Sequence, residues 1–244
     1  MTTLVVGASG ATGRLLVEQL LDHGEQVKII VRSLESVPVA LKKHSQLTIT
    51  VASLLDMTDA QLLEQVHGCR AVASCLGHNL TFKGMFGHPR RLVTNGIRRL
   101  CQAIEKTSPN TPVKFILMNT TGNRNNQAGE TVSNAQACII GLIRHLIPSH
   151  ADNEEAAECL QKNYGENQTA IEWATVRPDS LIDEETVTEY KVYPSPIRSA
   201  IFDAGKTSRI NVANFMSRLI LDPDIEQGIW KQWMRQMPVV YNIA

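Results

Sequence analysis

Leu4-Val5-Val6-Gly7-Ala8-Ser9-Gly10-Ala11-Thr12-Gly13-Arg14 joins a short apolar run to the start of an amphipathic pattern through three glycines spaced three apart. Each glycine suits a different task in a phosphate-binding turn. Gly7 permits the tight turn, Gly10 lets a pyrophosphate approach the backbone, and Gly13 lets helix and strand pack closely. Free N–H groups of Ser9 to Thr12 at the helix start then face the anion. A P-loop is excluded, because no Gly-Lys-Ser/Thr follows. The bare G-x-x-G-x-x-G spacing is a weak signal, since a plain strand-to-helix turn can carry it. Its context adds the specificity: the motif follows the first strand, opens a helix of suitable length, and leads to a second strand at the distance a dinucleotide site needs.

Outward from this turn, apolar β-rich runs recur at residues 4–6, 27–31, 47–51, 71–76, 113–118 and 171–176. Stretches of helical period separate them, with Leu15, Leu16, Leu20 and Leu21 marking one and Leu92, Val93, Ile97, Leu100 and Ile104 another. Gly24 is placed to stop the first helix. The alternation predicts an α/β fold, a doubly wound Rossmann sheet of parallel strands forming a single domain over 1–244. After Val176 the rhythm changes: Pro178, Pro194 and Pro196 punctuate an irregular stretch before a last helix near 212–221 and an ending at 238–241. Residues 178–244 are expected to form a small, irregular cap on the substrate side.

With 244 residues, 43% of them hydrophobic, the chain can bury one substantial core. Its formal net charge of +0 gives no basic surface for nucleic acid or an anionic membrane. No export signal is read at Met1 to Val6, and the apolar stretch 138–147 is broken by Gly141, Arg144 and His145, so a cytoplasmic protein is expected. The five cysteines (Cys69, Cys75, Cys101, Cys138 and Cys159) form no C-x-x-C pair and read as buried, reduced thiols. No metal site is implied. The spacing of His78 and His88 suits neither a metal nor a nucleophile pair.

The second strand runs into Arg32-Ser33, where an NAD site usually presents an acid to the ribose hydroxyls. A guanidinium and a hydroxyl instead suit the 2′-phosphate of NADP(H), and Arg14 could close on the same group. The alternative is that both arginines are solvated surface charges.

At this point the chain resembles the atypical short-chain dehydrogenases, the group with NmrA-like regulators, NADH-flavin reductases and biliverdin-IXβ-type reductases. The likeness rests on Gly7 to Arg14, Arg32-Ser33, Ser74-Cys75-Leu76-Gly77, Met118-Asn119-Thr120-Thr121-Gly122, and Glu172 to Pro178. It implies that Ser74, Cys75, Leu76 and Gly77 line the nicotinamide side of the cofactor, with strand-end packing the alternative for Ser74 and the preferred reading for Cys75, and that Asn119 is among the cofactor-binding residues. It also implies that Ser53 and Leu54 lie near the adenine, Ser53 standing where relatives often have an aspartate.

The chemistry is harder to read. Typical members of that superfamily use a serine after the fifth strand and a Tyr-x-x-x-Lys pair, but Tyr164, Tyr190 and Tyr193 are followed four positions later by Gln168, Pro194 and Ile197. Thr120 aligns best with the serine, with strand-end bracing as its alternative role. His150 falls near the tyrosine and could donate a proton near neutral pH. Asp152 reads as the N-cap of a helix starting there. Hydride transfer to a flavin, quinone or tetrapyrrole needs no side-chain acid, so an NADPH-dependent reductase of a small flat acceptor fits. So does a non-catalytic NADP(H) sensor that reports to a protein partner. The loop 77–89, with Phe82, Met85 and Phe86, could cover an acceptor or pack a partner.

Overall fold

The computed structural model describes residues 1–78, 88–165, 169–224 and 226–243. The strands are β1 (Thr2–Val6), β2 (Gln26–Val31), β3 (Leu47–Val51), β4 (Ala71–Ser74), β5 (Val113–Met118), β6 (Ile171–Pro178), β7 (Ser180–Ile182), β8 (Tyr190–Tyr193), β9 (Lys206–Ser208) and β10 (Val239–Asn242). The helices are α1 (Ala11–Asp22), α2 (Val39–Lys42), α3 (Asp59–Val66), α4 (Leu92–Thr107), α5 (Asn134–Leu146), α6 (Pro148–Asn163), α7 (Arg209–Leu221) and α8 (Ile229–Trp233). The main sheet has the order β3-β2-β1-β4-β5-β6-β10-β8, parallel throughout except for the antiparallel edge pair β10 and β8. This is the doubly wound Rossmann architecture expected from the alternation. The strand order reverses between β1 and β4, which makes the carboxyl ends of those two strands the place for a ligand crevice.

The central strands read as continuous apolar runs because helices cover both faces. One face buries Leu4, Val72 and Phe115 with Leu62, Ile97, Leu100 and Leu160 from α3, α4 and α6. The other buries Val5, Ile29 and Ile116 with Leu16, Leu20, Phe215, Met216 and Leu219 from α1 and α7. Gly24, at φ +76, ends the turn after α1 in a conformation that L side chains rarely adopt. No helix among the described residues is long and apolar enough to cross a membrane.

Three expectations change in detail. The residues after Pro178 do more than cap: β10 and β8 extend the sheet, and α7 covers its face beside α1, where Gln19 Nε2 donates to the Ile210 carbonyl at 3.2 Å. Proline punctuation at Pro194, Pro196 and Pro238 hides these two strands, although Val239 to Tyr241 is as apolar as Leu4 to Val6. Cys138 is exposed on α5, while Cys69, Cys101 and Cys159 are buried and all five thiols are unpaired. Asp152 does not start a helix. Pro148 opens α6 four residues earlier, and the buried Asp152 carboxylate instead accepts from Val93 N at 2.8 Å and Thr94 N at 2.9 Å, capping α4 from across the domain.

Candidate cofactor and acceptor site

The glycine turn has the division of labour its spacing implies. Gly7 sits at φ +74, and a Cβ there would lie 2.4 Å from the carbonyl of Cys75, so the turn is pressed against the end of β4. A Cβ on Gly13 would meet the Gly7 oxygen at 2.2 Å, which explains how α1 packs on the strand it follows. Gly10 differs: a Cβ there meets only the Gly7 oxygen, at 3.2 Å, and otherwise enters open space. Gly10 N donates to Gly7 O at 3.0 Å, closing the turn. Gly10 is also the N-cap of α1, with no side-chain cap and no acid in the first turn, while Ser9, Gly10 and Ala11 are exposed. Gly10 N is spent on the turn itself, and the N–H groups of Ala11 and Thr12 at the start of α1 are left to face an anion. A dinucleotide pyrophosphate fits this cradle.

Around the turn, the strand ends differ in how freely they can act. Ser74 is fully buried and its Oγ has no hydrogen-bond partner. Burial pushes the Cys75 thiol up to about 12, so it is an inert packing group rather than a nucleophile. Cys75 N donates to Val6 O at 2.9 Å, and Leu76 packs over Gly96 of α4, which fixes the path toward Gly77. Leu54 packs over the same Gly96. The Ser53 to Met57 segment is held by Arg99, whose guanidinium donates to the carbonyls of Leu54 at 3.1 Å and Leu55 at 2.7 Å. Arg99 carries no sequence signal, because an exposed-looking arginine on a helix gives no hint of a loop 44 residues away.

The residues expected at the 2′-phosphate are placed less uniformly. Arg32 is exposed and has no partner among the described residues. Arg14 runs along α1 to Glu18, 3.9 Å away. The Ser33 hydroxyl, by contrast, donates to Glu35 and accepts from Glu35 N at 3.2 Å. That bond, with the backbone, holds the exposed Glu35 carboxyl below its ordinary value. The loop after β2 thus pairs a free cation with an acid two residues beyond the expected serine.

Thr120 and His150 are brought together. Both side chains reach within 4 Å of the point where a Gly122 Cβ would sit, Thr120 from the end of β5 and His150 from the first turn of α6. Thr120 Oγ1 accepts from Gly122 N at 3.3 Å, which leaves its own proton to donate. His150 Nε2 is buried without a hydrogen bond, 4.0 Å from Glu154. Burial holds its pKa below 6.5, with Glu154 opposing that shift and Arg144 adding to it. The ring is neutral at pH 7. Asn119 is used internally: its amide donates to Asn153 O at 2.9 Å and its oxygen accepts from Thr120 N at 2.9 Å, so it braces the Thr120 loop against α6.

A cleft of about 680 Å³, lined by Thr121 but by neither Thr120 nor His150, opens between the Thr121 to Gln136 segment and residues 195–203. Sequence reasoning assigned nothing to it, because its walls are loops without periodicity. Its wall residue Glu130 is held by Arg177, the arginine of the Arg-Pro strand end, which forks onto it at 2.6 and 2.8 Å with both side chains buried. Residues 79–87 of the expected loop lie outside the described residues. His78, just before them, makes a 2.8 Å contact through Nε2 with Asp152.

A family model described as NAD(P)H-binding matches residues 7–223, beginning at the first glycine of the turn. The chain belongs to this NAD(P)H-binding family. No curated protein sequence matches it significantly. Solved structures similar to this NAD(P)H-binding protein share its fold at low identity. An oxidoreductase from Lactococcus lactis is 19% identical with a TM-score of 0.68, over 100% of this chain and 91% of that one. A short-chain dehydrogenase/reductase from Veillonella parvula, in complex with NADP, is 14% identical with a TM-score of 0.70, over 99% and 94%. An anaerobilin reductase from Escherichia coli O157:H7 is 15% identical with a TM-score of 0.68, over 99% and 97%.

Proposed function

We propose that this NAD(P)H-binding protein is an NADPH-dependent cytoplasmic reductase of a small flat acceptor, such as a flavin or a quinone. The observation that carries the reading is the open face of Gly10 between two glycines that are packed shut, at the carboxyl end of β1 where the strand order reverses. When bound, the reduced nicotinamide supplies the hydride. The protein's own groups orient the acceptor and manage a proton. Thr120, with its proton unspent, is the donor to an acceptor oxygen or nitrogen. His150, whose pKa burial holds below 6.5, keeps one ring N–H and one free lone pair in its neutral form and is suited to accept or relay a proton.

Thr120→Ala should therefore lower kcat about ten- to a hundredfold and leave NADPH affinity intact, since one hydrogen bond that strengthens in the transition state contributes roughly 1 to 3 kcal/mol. Stopped-flow NADPH oxidation and a fluorescence titration separate the two quantities. His150→Ala should flatten any inflection in the rate below pH 6.5.

For the choice of nucleotide, the unpaired Arg32 supports NADP(H) and Glu35 opposes it. With the cation adjacent to the strand end and the acid committed to Ser33, NADP(H) should bind at least about tenfold tighter than NAD(H), as one charge-assisted phosphate contact is worth roughly 1.5 to 3 kcal/mol. Calorimetry with both nucleotides checks this. Arg32→Glu should remove the preference; equal affinities in the wild type would assign the loop to NAD and its ribose to Glu35.

The missing tyrosine-lysine pair and the neutral His150 favour one second reading, a non-catalytic NADP(H) sensor with a protein partner. NADPH oxidation against a panel of flavins, quinones and aldehydes decides between them. Turnover with any of them supports the reductase; none, with unequal affinities for NADPH and NADP⁺, supports the sensor.

A further inference from the structure

The 680 Å³ cleft has an uneven inventory of polar groups. Its two carboxylates are spent: Glu130 on the buried Arg177, and Asp203 on Arg198 at 2.6 Å. Ser199 is spent as well, since its oxygen accepts from Ile201 N at 3.3 Å and Phe202 N at 3.0 Å while its proton goes to Gln136 Oε1 at 2.9 Å. A hydroxyl has one proton and two lone pairs, so this arrangement fixes which way the Gln136 amide faces. Gln136 is only 7% exposed, and its NH₂ group, on the cleft wall, has no partner among the described residues. The Arg124 guanidinium lines the same cleft, also unpartnered among the described residues. At the rim stand Phe202, 60% exposed, and Ile197, 59% exposed, both apolar and both facing solvent.

With its carboxylates spent, the cleft keeps the Gln136 amide and the Arg124 guanidinium as its strongest free donors, beside the Thr131 and Ser133 hydroxyls and under an apolar rim, and this describes the complement of a particular ligand. We infer that this cleft seats the acceptor through an anionic substituent, a carboxylate or phosphate, held by the Gln136 amide and Arg124 while its apolar body lies against Phe202 and Ile197. The inference rests on the reductase reading for the word acceptor, but the anion site itself does not depend on turnover. A pre-oriented neutral donor beside a guanidinium suits an oxyanion better than a neutral oxygen, because the charged acceptor strengthens both bonds. A ligand without an oxyanion forgoes both bonds, so the cleft also discriminates against it.

The test uses matched probes on the full chain saturated with NADPH or NADP⁺. Riboflavin and flavin mononucleotide differ only by a phosphate, and flavin fluorescence reads binding without chemistry. The mononucleotide should bind at least tenfold tighter, and benzoate or inorganic phosphate should compete with it, benzoate reporting a carboxylate site and phosphate a phosphate site. Gln136→Leu and Arg124→Met should each bring the mononucleotide-to-riboflavin ratio toward one, with circular dichroism and NADPH titration confirming that the variants fold. Equal binding of the two flavins by the wild type, with no competition by either anion, overturns the inference, as does a ratio that both variants leave unchanged. Turnover of acceptors without any dependence on their charge would sink this site and leave the reductase standing. Charge-dependent binding without turnover would do the reverse.

Discussion

Gly10→Val is expected to abolish NADPH binding while shifting the thermal midpoint by only a few degrees. The backbone at Gly10 has φ −75 and ψ 163, which any residue adopts, so the substitution creates no dihedral strain and asks only for a shift of a few tenths of an ångström. A Cβ there touches only the Gly7 oxygen at 3.2 Å. The stability cost is that of a poorer N-cap, about 1 kcal/mol or less, or roughly 2 to 4 °C for a chain of this size. The two γ-methyls, however, project into the space the pyrophosphate needs. Losing two or more charge-assisted bonds at roughly 1.5 to 3 kcal/mol each weakens binding by at least about a hundredfold. A fluorescence titration beside a thermal melt reads both effects. Normal NADPH affinity in the folded variant would mean that the glycine turn is not the phosphate site. Gly13→Val supplies the contrast, since its Cβ would sit 2.2 Å from the Gly7 oxygen and the backbone itself would have to move.

That contrast shows what a sequence can carry. The three glycines, the six apolar strand runs, five of them buried and β3 at the sheet edge, and the helix stripes are local patterns, legible because burial imposes a period on neighbouring residues. Tertiary partners impose none. Asp152 carries the ordinary sign of a helix start, an acid with further acids behind it, yet the N–H groups it satisfies belong to Val93 and Thr94, more than fifty residues away. The sign is the same whichever helix the carboxylate caps. Arg99, which pins the Ser53 to Met57 segment, and Gln136, whose amide is oriented by Ser199, are equally silent in sequence. Thr120 and His150 could be placed near each other because a family pattern supplied the pairing that spacing alone does not. Ser33 shows the opposite failure. A hydroxyl at the right position is already committed to Glu35, a competitor two residues away that was in plain sight.

Arg177→Met should be the most destabilising single change near the site. The guanidinium donates to Met237 O at 2.7 Å, to Asn123 O at 2.9 Å and to both oxygens of Glu130, tying β6, β10 and the Asn123 to Glu130 loop into one unit. Arg177 is 0% and Glu130 5% exposed, so truncating one leaves the other as an uncompensated buried charge. Breaking such a pair costs about 3 to 5 kcal/mol, on the order of ten degrees in the melt. The loss should depend on pH in a defined direction. Burial pushes the Glu130 carboxyl up, but Arg177 and Asn125 N outweigh it and hold the carboxyl below its ordinary value. In the wild type this contribution is therefore present above the ordinary carboxylate pKa and lost as the pH falls through the lower folded value. In Arg177→Met burial, the largest single influence, is opposed only by the Asn125 and Ser195 hydrogen bonds, so the folded pKa should rise above the unfolded one and protonation should relieve the buried charge. The deficit of the variant should be greatest at neutral pH and shrink toward about pH 4. Adding Glu130→Gln removes the orphaned charge and should recover much of the loss at pH 7. Thermal melts of the wild type, single and double variants between pH 4 and pH 7 test this. A deficit that stays constant with pH, or a double variant no more stable than the single, would show that the pair's charge is not what holds the cleft wall together.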